Sequence, residues 1–477
     1  MSAPRRPRVL FVSYAFPPAG GVGVQRVTKF VKFLPQFGWD CSVLTVENPS
    51  VPMLDESLHR DIHPATIIRR ARTLEPGYAM KQAVSASNAS QGGGGSFKGW
   101  LKGALRKVGN TLLQPDPQIL WRPAALKEGR RLLAEIPHHA IIATGPPFSS
   151  LLLGAKLARK SKLPLVLDYR DEWGISNAYW ENKQQGRLAQ QVQQLMQRRA
   201  VRAAQVLLAT TPSSAAELER VALDAGAAAR ATYIYNGFDP DDFPGDASVP
   251  VVRADYGNGT ERFRLAFIGT LWNLNPIGPF VDGVRQLAQT SPQLVSELEL
   301  VFAGRRTGPQ EAELDRLDGL PCRVVRLPFV SHQEACNLMR SADGLLLINA
   351  DLPDTQRIIN AKTFEYMAAK RPIFTVAPRG DLTALVESLP GSMVCEPSQP
   401  AQIADRLGLL LEAHRVGHDS HDGVWEISRF ERRQQAGELA KLLSDLIGSQ
   451  PAAVLNRSQE PGDGPRDGQP SREREEL

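Results

Sequence analysis

Cysteine is scarce in this chain of 477 residues. Its four cysteines (Cys41, Cys322, Cys336, Cys395) are scattered, with no Cys-x-x-Cys pair. That excludes a disulfide framework and a cysteine-built metal cage, and it fits a reducing compartment. Long apolar runs are missing too. None reaches the roughly 18 residues needed to cross a bilayer, and the basic start of the chain runs straight into a strand rather than a signal sequence. A cytoplasmic protein without a membrane span is therefore expected. A strong charge of one sign is also absent: 56 Lys and Arg face 51 Asp and Glu, a net charge of +5. This small excess argues against a nucleic-acid binder and suits an anionic substrate or an anionic membrane surface.

What is present is ordinary globular composition, 42% hydrophobic and 22% charged, in a chain long enough for two domains of roughly 200 residues. Arg8 to Tyr14 (RVLFVSY) is an apolar run of the kind found in parallel sheets. The loop Ala15–Gly23, with glycines at 20, 21 and 23, follows it. A helix from about Val24 to Phe37 and a strand Cys41–Val46 complete the opening of a doubly wound α/β domain. Two readings fit the loop. One is a dinucleotide fingerprint with Glu47 as the ribose-binding acid, although Gly20, Gly21 and Gly23 do not give G-x-G-x-x-G. The other is a loop facing an acceptor or a phosphate.

Residues 48–95 alternate between polar and irregular and end in a Ser/Gly-rich stretch, which reads as a linker inside the first domain, in an insertion spanning about 48–113. Residues 96–113 then pattern as a basic amphipathic helix carrying Trp100. Such a helix suits the anionic inner face of a membrane, or a lid docked on the domain. Farther on, Ala140–Thr144 and Leu163–Leu167 pattern as buried strands. The first runs into Gly145-Pro-Pro-Phe-Ser-Ser150, the second into Asp168-Tyr-Arg-Asp-Glu-Trp173. Residues just past the carboxyl ends of parallel strands face the ligand crevice, so Asp168, Arg170 and Asp171 are expected there. A structural ion pair of Arg170 with its neighbours is the alternative.

The second half repeats the pattern. The strand Phe263–Ile268 leads to Gly269 and Thr270, where a glycine lets backbone amides approach a diphosphate. The strand Leu298–Ala303 leads to Gly304, Arg305 and Arg306, which can supply positive charge. At residues 359–378, Phe364, Met367 and Ala368 recur at helical spacing, and a strand follows Pro372. Lys362 and Glu365 stand three apart on one face of that helix. A carboxylate there can accept two hydrogen bonds from a ribose diol, while a lysine meets phosphate. An amphipathic helix with a surface ion pair is the plain alternative. Residues 426–447 read as a terminal helix, and 448–477, rich in Pro, Gly, Ser, Arg and Glu, as disordered.

Several of these stretches resemble one family. Lys362–Ile373 (KTFEYMAAKRPI) is similar to the K-L-F-E-Y-L-A-A-G-K-P-I signature of glycosyltransferases with the GT-B fold, in particular the family 4-like group that builds bacterial surface polysaccharides. Residues 16–26 (FPPAGGVGVQR), 143–149 (ATGPPFS), 168–173 (DYRDEW) and 234–243 (IYNGFDPDDF) look like further motifs of the group. The resemblance implies two Rossmann-like domains, 1–235 for the acceptor and 236–425 for a nucleotide sugar, facing across a cleft, with residues 426–447 crossing back. It implies glycosyl transfer to a glycan or lipid-linked acceptor with retention of configuration, with Glu365 on the donor ribose and Phe329 and Val330 against its base. It implies no metal and no cofactor, since Asp239-Pro-Asp241 falls in the interdomain linker.

Departures from the pattern accompany the match. Arg357 stands where the pattern has a second Glu. Residues 272–275 lack the usual basic pair, and no histidine occurs from 140 to 331, which leaves Asp171 as the expected catalytic group. Two other functions are weighed against transfer: an NAD-dependent oxidoreductase resting on Glu47, and a non-catalytic relative that binds nucleotide sugar or membrane.

Overall fold

The structure is a computed structural model of the chain and describes residues 6–51, 54–77, 113–179, 187–243, 262–417 and 423–448. The first half builds one wholly parallel sheet. Its elements are β1 (Arg8–Val12), α1 (Val22–Phe33), β2 (Asp40–Val46), β3 (Ile67–Ala71), α2 (Arg122–Glu135), β4 (Ala140–Gly145), α3 (Ser149–Ser161), β5 (Leu165–Tyr169), α4 (Trp173–Tyr179), α5 (Arg187–Val201), β6 (Val206–Ala209), α6 (Pro212–Asp224) and β7 (Arg230–Tyr233). The strands lie in the order β3-β2-β1-β4-β5-β6-β7. In β1, Leu10 and Val12 face one apolar core and Val9 and Phe11 the other. This two-residue alternation with both faces buried is why the strand reads as a continuous apolar run.

The second half forms β8 (Phe263–Ile268), α7 (Gly278–Thr290), α8 (Pro292–Ser296), β9 (Leu298–Ala303), α9 (Gly308–Asp315), β10 (Arg323–Leu327), α10 (His332–Ser341), β11 (Gly344–Ile348), α11 (Lys362–Ala369), β12 (Ile373–Val376), α12 (Asp381–Val386), β13 (Met393–Cys395) and α13 (Pro400–Arg415). Its six strands are also parallel, in the order β10-β9-β8-β11-β12-β13. Two Rossmann-like sheets therefore stand side by side, as the resemblance implies. All four cysteines are free and buried.

The chain crosses between the sheets twice, and the crossings touch. Phe238 on the outward crossing bridges Glu431 on the return. A Cβ at Gly237 would sit 2.1 Å from the carbonyl oxygen of Phe430, so only glycine permits this approach. The return crossing ends in α14 (Arg432–Gly448), which packs on α1 of the first half. There Trp39 Nε1 donates to Ser444 Oγ at 3.2 Å.

Two expectations need correcting. The terminal helix begins at Arg432 rather than at 426. Residues 428–430 form a 3₁₀ turn and Glu431 is extended, and this places the Arg432 amide on Phe238 O at 2.8 Å. The stretch 48–77 is not an irregular linker. It contains a 3₁₀ turn (Glu56–Asp61) and β3, which pairs with β2 in the register Val43↔Ile68. As a short edge strand carrying Arg69 and Arg70, β3 lacks the apolar run that marks the interior strands. The proposed amphipathic helix, apart from its last residue Leu113, lies outside the described residues.

Candidate active site

The carboxyl ends of both sheets open on one cleft of about 1020 Å³, large for a small-molecule site. On the second-half side, Gly269 follows β8 and Gly304 follows β9. Gly304 has φ +129°, and a Cβ on it would lie 2.0 Å from Gly269 O, so the two strand-end loops are held in contact. Their backbones interlock further, with the Leu271 amide on Arg305 O at 2.9 Å. Gly269, Thr270 and Arg305 line the cleft, and Thr270 and Arg305 are exposed to it.

Arg306 points the other way. Its guanidinium is tied to Glu311 (2.6 Å), Gly304 O (2.9 Å) and Leu327 O (2.7 Å), and it does not reach the cleft. It braces the loop instead of supplying charge to a ligand.

Helix α11 is aimed at the same space. Phe364 and Met367 are buried beneath it, and the Ile268 amide at the end of β8 donates to Tyr366 Oη at 2.9 Å, fixing helix to strand. This turns Lys362 and Glu365 toward the cleft, where they pair with each other. Phe329 and Val330 line the cleft in the turn before α10, Phe329 with 61% of its surface exposed. The turn is pinned by a capping box between Ser331 and Glu334.

On the first-half side, Gly21 and Gly23 line the cleft; Gly20 does not. Arg170 donates to Gly23 O and Pro146 O, clamping the glycine loop against the loop after β4. Burial lowers its pKa below the ordinary arginine value, against the pull of Asp171 and Asp168. Asp171 opens into the cleft. Protein crowds it, which pushes its carboxyl above the usual range, while Arg170 opposes the rise.

Asp168 is not in the cleft. β5 runs to Tyr169, two residues past the expected end, so Asp168 stays inside the sheet at 1% exposure. It accepts from Thr144 Oγ1 at 2.8 Å and from Arg26 Nε at 3.1 Å. Glu47 also lies away from the cleft, exposed and 3.7 Å from Arg72, which leaves the dinucleotide reading without its acid. Asp239 and Asp241 hold Lys29 and Lys32 at 2.6–2.8 Å. Among the described residues, no group of three His, Cys, Asp or Glu is arranged to hold a metal ion.

Residues 20–237 match the family model "Glycosyl transferase 4-like domain", and residues 262–413 match "Glycosyl transferases group 1". Together the two models span most of the chain. It belongs to the GT-B glycosyltransferases. Similar solved structures include HepE of Anabaena in complex with UDP and glucose (16% identity, 92% of this chain and 99% of that one, TM-score 0.56). WaaG, a glycosyltransferase of lipopolysaccharide biosynthesis, matches at 12% identity over 93% and 100% with a TM-score of 0.54. The UDP-forming trehalose-phosphate synthase of Burkholderia vietnamiensis matches at 12% over 95% and 99%, with a TM-score of 0.58. Among curated proteins none matches the sequence.

In this glycosyltransferase the cleft also brings together contacts that the sequence did not foresee. Arg357, the departure from the family pattern, reaches across to Glu172 of the first half in a two-point pair at 2.8 and 2.7 Å. Ser214 Oγ adds a bond to Glu172 at 2.6 Å. Beside it, Ser213 donates from its amide and hydroxyl to Asp381 at 3.1 and 2.7 Å. His332 Nε2 meets Asp242 of the outward crossing at 3.2 Å. That bond and one with Cys336 push the imidazole up to about 10. Arg26 and Arg432 line the same space from α1 and the start of α14. Arg26 ends the FPPAGGVGVQR stretch, the one local signal that could have flagged it.

Proposed function

We propose that this enzyme moves a sugar from a nucleotide-sugar donor held by the second half to a glycan or lipid-linked acceptor presented by the first. Retention of anomeric configuration and a role in cell-surface polysaccharide synthesis belong to the same reading. The observation that carries it is that Glu365, Lys362, Gly269 and Thr270 of the second half line one cleft with Arg170 and Asp171 of the first. The binding of UDP and glucose by HepE supports it.

Glu365 would take the ribose hydroxyls, and Phe329 and Val330 the face of the base. The departing diphosphate needs positive charge and donors aimed at it, which the backbone at Gly269 and Thr270 together with Lys362 and Arg305 provide. Asp171, with a raised carboxyl, suits a group that positions the acceptor hydroxyl and takes its proton as the bond forms. The two-hinged cleft gives a means of excluding water during transfer. No metal enters this reading, because the charge is met by protein groups.

Calorimetric titration with UDP, GDP, dTDP, ADP and NAD tests it. One nucleoside diphosphate is expected to bind, and Glu365→Ala to weaken it about 10- to 100-fold, the loss of hydrogen bonds to a charged acceptor. Unchanged affinity in that variant removes the donor assignment, and binding of NAD alone replaces it with the oxidoreductase.

A further inference from the structure

Two arginines at the hinge end of the cleft have more hydrogen-bonding capacity than the protein uses. Arg26, on α1, is 1% exposed. Its Nε is satisfied by Asp168, and its Nη1 donates to Tyr235 O at 3.0 Å and Asn236 Oδ1 at 3.4 Å. Its Nη2 is buried and has no hydrogen-bond partner among the described residues. Arg432, the first residue of α14, is 4% exposed. A single bond from Nη1 to Gln435 Oε1 at 3.3 Å is its only side-chain hydrogen bond among the described residues. Among the described residues no carboxylate lies within ion-pair distance of Arg432, and burial followed by the nearby charge of Arg26 brings its pKa down to about 9, against the pull of Glu365, Asp239 and Asp168.

Both side chains line the cleft, and both are held by the two crossings. Arg26 is fixed by Tyr235 and Asn236 on the outward segment. Arg432 is fixed by Gln435, whose own amide donates to Asn236 O at 2.8 Å. A buried guanidinium without a carboxylate is costly unless something of opposite charge meets it, and the planar array of N–H donors matches a phosphate oxygen pair. Asp168 is ion-paired with Arg26 alone, so among the described residues Arg432 meets the cleft without a paired carboxylate.

We infer that Arg26 and Arg432 form a binding subsite for a phosphate-type anion at the hinge end of the cleft. The phosphate comes either from an acceptor bearing one or from the diphosphate of the donor. The subsite stands on its own geometry; only the source of the phosphate rests on the glycosyl-transfer reading. Because Arg26 is held by the outward crossing and Arg432 begins the helix at the end of the return one, an anion seated there ties ligand binding to the angle between the two halves.

Calorimetry on the full chain tests this with inorganic pyrophosphate, glucose 6-phosphate as a generic phosphomonoester, UDP and uridine. Two variants are compared with the wild type: Arg432→Gln, and Arg26→Lys, which keeps a cation for Asp168 but removes Nη2. Circular dichroism establishes that each is folded. Arg432→Gln is expected to weaken a phosphate probe tenfold or more and leave uridine unchanged.

Loss of glucose 6-phosphate binding in the presence of saturating UDP assigns the subsite to the acceptor. Loss confined to UDP and pyrophosphate assigns it to the donor. If no nucleoside diphosphate binds the wild type while pyrophosphate binding still depends on Arg432, the subsite stands and the glycosyl-transfer reading falls. Wild-type affinities for every phosphate probe in a folded Arg432→Gln, or no phosphate binding by the wild type, overturn the inference.

Discussion

Lys370 ends α11 with a left-handed backbone, φ 52° and ψ 46°. The family signature has glycine at this position, for which that conformation carries no Cβ penalty. Lys370 is exposed, so its side chain offers little in return. Lys370→Gly should therefore stabilise the protein by about 1 kcal/mol, seen as a higher midpoint in urea unfolding at unchanged slope. An unchanged or lower midpoint would mean that the lysine makes a compensating contact. Single residues also explain where reading the sequence fell short. Arg305 and Arg306 are adjacent, and neighbours in an extended segment point to opposite sides, so one lines the cleft and the other braces the loop. Asp168 missed the cleft because β5 is two residues longer than its apolar run suggested.

At the scale of elements, strands buried on both faces were the legible ones. β1, β4, β8 and β11 announce themselves as apolar runs, and the glycines or acids just beyond such runs could be placed at the cleft on that basis. The edge strand β3 could not be read, because its half-exposed IIRRA pattern carries no such run. Nor could the pairs that knit the site together: Arg26 and Asp168 are 142 residues apart, and Arg357 and Glu172 are 185 apart. No local pattern encodes a contact of that span.

One such contact joins α10 to the outward crossing and makes a pH-dependent prediction. The His332 imidazole is raised to about 10 by Asp242 and Cys336 from an ordinary value near 6.5. A base whose folded pKa is raised adds stability in full below the unfolded value, and that stability fades as pH rises through the folded one. Between pH 6.5 and 10 the wild type should thus lose about 2 kcal/mol that His332→Gln never had, the size of one charge-assisted hydrogen bond. Urea titrations of both proteins at pH 6, 8 and 10 measure it. Parallel pH profiles would show that the imidazole is not charged in the folded state.

Across the whole molecule, the pair Arg357–Glu172 and the bonds from Ser213 to Asp381 hold the halves together on the cleft side, opposite no other covalent tie than the two crossings. Glu172→Gln removes the charge from the Arg357 partner while keeping its shape. The halves should then spend more time apart, giving a larger radius of gyration in solution scattering and a nucleotide affinity reduced several-fold. Identical scattering curves for variant and wild type would show that the pair does not govern closure.

The first sheet also borrows its last helix from the far end of the chain. α14 covers α1, and Leu439 and Leu443 share a core with Phe30 and Trp39, yet residues 234–431 are made between β7 and that helix. At about 5–20 residues per second, the ribosome needs about 10–40 s to supply it. During that interval the nascent first half carries an uncovered apolar groove. The window of exposure to aggregation and to chaperones therefore opens once β7 is made and closes only when α14 emerges, after the second sheet is complete.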